Sequence, residues 1–193
     1  MLDYPTFDFD QVDFVTSDTH LSHARISELA GRPCATVEEM NEDLVRRWND
    51  VVPPGSVVLH LGDVALGPIE ESIALTARLN GRRLLVPGNH DRVSPATQSK
   101  RAIERFLPMY EAAGWEILPE VIEGTRRGYR IIASHYPYGG DSQGAGSTHV
   151  IARAGTTTSH SSTGTPTRGT MVRTVTSSTW GSTPTASRRS RSA

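Results

Sequence analysis

Up to about Tyr138, short apolar runs alternate with longer stretches whose apolar positions recur at helical spacing. The short runs Phe14 to Thr16, Val57 to Leu61, Leu84 to Val86 and Arg130 to Ser134 predict strands. Between the first two, Thr36-Val37-Glu38-Glu39 forms a capping box, its hydroxyl and carboxylate placed to satisfy first-turn amides. The helix it opens carries Met40, Leu44 and Trp48 and ends at Pro53-Pro54. A second helix is predicted over Glu70 to Leu79, closing on Asn80-Gly81, and a third over Pro95 to Ala113 before Gly114. Strand and helix in alternation favour a largely parallel sheet covered by helices, an α/β fold.

Beyond Gly139 the periodicity stops, and Thr, Ser, Gly and Arg dominate. Such text buries too little apolar surface to offset the entropy of ordering it, so residues 139–193 are expected to be a disordered low-complexity tail behind a domain of residues 1–138. Charge follows the same division. The first segment holds 20 acids and 14 bases, a balance of -6, and the second holds Asp141 and six arginines, a balance of +5. Of the whole chain, 36% is hydrophobic, with no apolar run long enough to cross a bilayer. The acidic start, MLDYPTFDFDQVDF, has no basic n-region before an apolar stretch, and a cytoplasmic location is expected. Cys34 is the sole cysteine, which excludes an internal disulfide and a thiolate metal site. A metal in this chain must be held by oxygen and imidazole.

Those ligand types gather where the strands end. FVTSDTH supplies Asp18 and His20, VVLHLGD supplies Asp63, LLVPGNHD supplies Asn89 and His90, and IIASH supplies His135. In a parallel sheet the carboxyl ends of the strands share one edge, so these distant residues can meet in one crevice. An aspartate at a strand end is by itself more often an N-cap or Asx-turn, but no turn requires histidines beside it. Carboxylate, imidazole and amide oxygen together suit Mn, Fe or Zn, and a shared aspartate can bridge two such ions. A pair of ions about 3.5 to 4 Å apart clamps a phosphate and activates water, which is phosphoester hydrolysis. His23 and His60 read as packed or supporting histidines, His149 and His160 as tail residues without a role, and Trp48 and Trp115 as core.

Asp18-Thr19-His20, Gly62-Asp63, Gly88-Asn89-His90-Asp91 and His135, in this order and each behind a strand, resemble the calcineurin-like metallophosphoesterases, small bacterial and phage members above all. The resemblance covers about Phe14 to Tyr138 and implies two sheets sandwiched between helices, with the closing strands missing from this chain. It also implies two divalent ions: Asp18 and His20 on the first, Asp63 as the bridge, Asn89 and His135 on the second. His90 would be the acid and charge stabiliser. Asp91 could orient His90, and Arg92 could reach a phosphate oxygen, although both are also plausible helix-start charges. The implied substrate is a phosphomonoester or phosphodiester, a small molecule or nucleotide.

The family pattern requires a further Gly-His-x-His after the His135 strand, and this chain has none. With nineteen arginines against one lysine the gene is expected to be GC-rich. In that case Ser161 to Arg168 can be encoded so that the neighbouring frame reads Leu-Leu-His-Gly-His-Thr-His-Ala, with ligand histidines at Thr165 and Thr167. The same shift lets Thr179 to Ser190 read Asp-Leu-Gly-Val-Asp-Ala-Tyr-Gly-Phe-Ala-Pro-Val, similar to the family's closing strand. A frameshift between about Gly139 and His149 accounts for both, and implies impaired activity in the chain as it stands. Two other readings stay open: an inactive relative that keeps the fold, and, ranked last, a nucleic-acid binder acting through the arginine tail. Sequencing of the coding DNA across residues 139–168 is expected to spell His-Gly-His-Thr-His in the neighbouring frame; any other reading there contradicts the frameshift.

Overall fold

The computed structural model describes residues 6–26 and 34–136, and the backbone of two further strands, 149–153 and 173–175. In chain order the elements are β1 (Phe7–Asp8), a 3-10 turn (Phe9–Gln11), β2 (Phe14–Thr16), α1 (Val37–Val51), β3 (Val57–His60) and α2 (Ile69–Thr76). There follow β4 (Arg82–Leu85), α3 (Lys100–Ala112), β5 (Trp115–Ile117), β6 (Val121–Arg126), β7 (Tyr129–Ser134), β8 (His149–Arg153) and β9 (Arg173–Val175). One sheet, in the order β5-β4-β3-β2-β9, is parallel throughout. The other, β1-β6-β7-β8, is antiparallel except where β1 joins β6.

Both faces of the parallel sheet are covered, and its central strand β3 accordingly reads as a near-continuous apolar run. Successive side chains of β3 and β4 go to opposite faces. Val58 and Leu85 join Val45, Trp48, Ile73, Tyr110 and Trp115 in a core against the helices. Leu59, Leu61, Leu84 and Val86 meet Ile122, Ile131 and Ala133 of the second sheet in a core between the sheets. Among the described residues no helix is long and apolar enough to cross a membrane.

The Thr36 cap forms, its Oγ1 accepting from Glu39 N at 3.1 Å, while the Glu39 carboxylate reaches one residue past the cap and accepts from Ala35 N at 3.1 Å. The third helix starts later than the pattern suggested, at Lys100. Ser99 Oγ caps Ala102 N there, and Glu120 holds the preceding turns by accepting from Ser94 Oγ and Ala96 N. Strands β5 and β6 were not legible in the pattern. The β6–β7 hairpin turns on Arg127 and Gly128, both at positive φ (49° and 80°), as a type I′ turn demands, with Arg in the place where Asn or Asp gives the usual signal. Arg83, buried, donates to Thr76 O and to Ala113 O (2.8 Å), so one guanidinium satisfies carbonyls at the ends of both α2 and α3.

Two strands come from the segment expected to be disordered. Beta-branched residues survive at Val150, Ile151, Thr174 and Val175, and β7 and β2 offer them unpaired backbone edges. Each adds one strand to a sheet, β8 beside β7 and β9 beside β2. Residues 137–148, 154–172 and 176–193, including His160, Thr165 and Thr167, lie outside the described residues.

His60 is a packed histidine, as its position suggested. Its ring stacks on Trp48 (centroids 6.4 Å, 21°) and meets Trp115 edge to face (5.5 Å, 84°). The Thr19 hydroxyl donates to Val64 O at 2.9 Å, so its 3.1 Å contact with His60 Nε2 is accepted from an Nε2–H. Burial pushes its pKa from 6.5 down to about 3. A histidine that stays neutral when folded but takes up a proton when unfolded gives stability that is complete above pH 6.5 and is lost as pH falls toward 3. Wild type is therefore expected to lose on the order of 2 to 4 kcal/mol more than His60→Phe between these limits. Urea midpoints measured against pH check this, and parallel curves for the two proteins would contradict it.

Candidate metal centre

The parallel ladder between β2 and β3 does not stop where the strands end. Leu61 N donates to Thr16 O (2.8 Å), Asp18 N to Gly62 O (2.9 Å), His20 N to Asp63 O (3.0 Å) and Leu21 N to Val64 O (2.9 Å). To keep these bonds while turning, the backbone takes left-handed conformations at Asp18 (φ 55°), His20 (47°), Ser22 (61°) and Asp63 (61°). Such conformations are costly for residues with a Cβ, and they persist only where surrounding bonds over-determine them. Asn41 of α1 supplies two: its Oδ1 accepts from Ser22 N (2.8 Å) and its Nδ2 donates to Ser22 Oγ (3.0 Å). Gly62 and Gly88 let the neighbouring loops touch, for a Cβ on Gly62 would stand 2.5 Å from Gly88 N and 2.8 Å from His135 Nδ1.

The side chains these loops carry converge on one oxygen. His20, His135 and His90 place their Nε2 atoms 3.8, 3.7 and 3.9 Å from Asp63 Oδ2. These separations exceed a hydrogen bond, so the groups surround a point rather than bond to each other. Asp18 Oδ1 lies 3.6 Å from His20 Nε2, and donor atoms of Asp18, His20 and Asp63 all fall within 4.8 Å of one another, a set that could hold a metal ion. Asp63 is buried at 3% exposure, and His90 lies open to solvent.

The Asn89–His135 pair is informative about what fits there. His135 Nδ1 is 2.7 Å from Leu61 O, which requires Nδ1–H, and the neutral ring then keeps a lone pair on Nε2. That lone pair faces Asn89 Oδ1 at 2.9 Å, a second acceptor. Two acceptors turned toward each other suit a cation held by both, and ligands at right angles with bonds of about 2.1 Å stand about 3 Å apart. The hydrogen bond to a backbone carbonyl is the support that orients a ligating imidazole.

The remaining sequence-based candidates fall into three positions. Asp91 is fully buried with its pKa raised to about 6 by that burial, and its carboxylate accepts backbone amides, not the His90 ring. Arg92 carries an exposed side chain, and its amide donates to Tyr110 Oη at 3.3 Å. His23, read as a supporting histidine, packs edge-on to His20 (centroids 5.8 Å), which in turn meets His90 (5.7 Å). Burial foremost, then the neighbouring His20, lowers the His23 pKa. Thr19 and Asn41 were missed by sequence reasoning. Thr19 lies inside a recognised motif but carries no ligand atom, and Asn41 sits on a helix remote in sequence from the loop it supports.

The chain is 41% identical over 81 residues to an uncharacterised protein of Methanocaldococcus jannaschii, covering 41% of this chain and 46% of that protein. It is 29% identical over 132 residues to the Gene 66 protein of Mycobacterium phage L5, covering 65% of this chain and 63% of the phage protein. The chain thus spans about half to two thirds of the length of these curated relatives. A solved structure of a protein of unknown function from Aquifex aeolicus is 25% identical, with a TM-score of 0.45 over 64% of this chain and 59% of its own. The family model described as calcineurin-like phosphoesterase matches residues 14–161, past Tyr138 and into β8 and beyond, and on that match the chain belongs to the calcineurin-like phosphoesterase family.

Proposed function

We propose that the chain is a metal-dependent phosphoesterase that hydrolyses phosphomonoesters or phosphodiesters of small molecules or nucleotides. The observation that carries this reading is the convergence of three imidazoles on Asp63 Oδ2, with Asn89 Oδ1 beside one of them. Asp18, His20 and Asp63 would hold one divalent ion, and Asp63, Asn89 and His135 a second, with Mn, Fe or Zn the ions such donors suit. When bound, the pair supplies Lewis acidity toward phosphoryl oxygens and lowers the pKa of water to the neutral range.

The protein's own groups do the rest. Asp63 keeps its Oδ1 engaged by the His90 amide at 3.0 Å, which turns Oδ2 toward the imidazoles. His90, exposed and beside the cluster, is placed to donate a proton to a departing alkoxide oxygen. Arg92, on the same surface loop, can reach a phosphate oxygen as a charge-assisted donor. Three protein donors per ion leave positions for water and substrate.

A second reading follows from the frameshift expectation: threonines stand at 165 and 167, where a shifted frame would put histidines, and a neutral hydroxyl there would replace imidazole nitrogen. Metal affinity and activity of this chain would then lie below those of a chain reading the shifted frame. Under either reading, Asp63→Asn is expected to lower Mn-stimulated hydrolysis of an activated aryl phosphate by about 100-fold or more, because both ions lose their shared oxygen. Excess chelator should do the same. Turnover unchanged in the variant or under chelation would contradict the proposal.

A further inference from the structure

We propose that Asp91 is a positioning residue that sets the metal affinity of the cluster by holding the backbone of Asp63, and that it does not act through the His90 imidazole. The inference rests on the metal-centre reading above and adds to it the group on which that centre's geometry depends.

Three amides converge on this one carboxylate. Asp63 N and Gly88 N both donate to Asp91 Oδ2 at 2.8 Å, and Val64 N donates to Oδ1 at 3.1 Å. The side chain is 0% exposed, so water cannot replace any of these bonds. Asp63 answers in the opposite direction, its Oδ1 accepting from His90 N at 3.0 Å. The loop 62–64 and the loop 88–91 are therefore closed into a ring, in which each loop's aspartate holds the other loop's backbone.

The ring supports a strained conformation. Asp63 stands at φ 61°, and the Asp91 carboxylate receives the amides of Asp63 and of the residue after it, the bonds that over-determine a left-handed residue. Gly88 contributes the third amide, and a Cβ there would collide with Asp63 Oδ1. The chemistry calls for a carboxylate. Ionised, it is acceptor-only with about four lone-pair sites, whereas an asparagine would turn an NH2 toward amide donors. Released from Asp91, Asp63 would relax toward ordinary φ and move Oδ2, the atom common to His20, His90 and His135.

The competing role, orientation of His90, has no contact behind it among the described residues. The carboxylate is taken up by amides, and the His90 Nε2 stands 3.9 Å from Asp63 Oδ2.

The test is a Mn(II) titration followed by electron paramagnetic resonance on wild type, Asp91→Asn and Asp63→Asn, each confirmed as folded by circular dichroism. It is paired with kinetics on aryl phosphates of graded leaving-group pKa. For Asp91→Asn the expected result is a Mn(II) affinity at least tenfold weaker. Its activity should be restored in large part at high Mn(II), with a loss equal for good and poor leaving groups. Unchanged affinity with a loss that grows for poor leaving groups would assign Asp91 to His90 and overturn the inference. A lowered melting temperature with unchanged affinity in the folded protein would reduce Asp91 to a folding role and overturn it as well. Should Asp91→Asn not fold, Asp91→Ser, which keeps one acceptor, takes its place, and wild-type affinity there would be equally decisive. If wild type binds Mn(II) no better than Asp63→Asn, the metal-centre reading itself fails and takes the inference with it, an outcome distinct from the others.

Discussion

The parallel register of β2 against β3 is the constraint from which the candidate site follows. Phe14, Val15 and Thr16 lie opposite Val58, Leu59 and His60, and the ladder runs on through the Asp18–Gly62 and His20–Asp63 backbone bonds. A slip of one residue would exchange the two faces of β3, sending Leu59 to the helices and His60 between the sheets. It would also uncouple Asp18 from Asp63. The two apolar cores on either side of this sheet therefore specify the geometry of the candidate ligands at its edge, none of which is itself an apolar core residue.

Between that edge and the ligands stands a layer of side chains bonded to backbone. Thr19 reaches Val64 O, Asn41 holds Ser22, and Asp91 gathers the amides of Asp63, Val64 and Gly88. Each supports a left-handed residue or its neighbour, so the strain of four such residues is confined to the loops that carry the candidate ligands. The glycines contribute by what they lack, since Gly62 and Gly88 allow two loops and the His135 ring to approach within contact distance. Removing strain here would be expected to cost binding geometry before it cost the fold.

Much of this was legible in the sequence, and the limits have physical causes. The strand cores at Phe14, Val57, Leu84 and Ile131 and the Thr36 cap announced themselves through periodicity and capping chemistry, which are local signals. The candidate ligands could be grouped because each follows a strand whose carboxyl end shares the same edge. Strand β5, three residues long, and the Arg127-Gly128 hairpin carry little local signal and form through pairing with their neighbours. The same holds for β8 and β9, whose few β-branched residues sit in a Ser, Thr and Gly background and acquire strand geometry from the open edges of β7 and β2. Asp91 was read beside His90 for a different reason. Adjacency to His90 in sequence suggested a partnership, whereas a carboxylate with buried amides in reach is bonded to them first.

The central claim is that Asp63 is the shared oxygen ligand of two divalent ions. Anomalous diffraction at the manganese absorption edge, from crystals of the chain grown with Mn(II), tests it directly. The account predicts two peaks about 3.5 to 4 Å apart, flanking the Asp63 carboxylate, one against Asp18 and His20 and the other against Asn89 and His135. No peak at Asp63, or a single ion bound without it, would contradict the account.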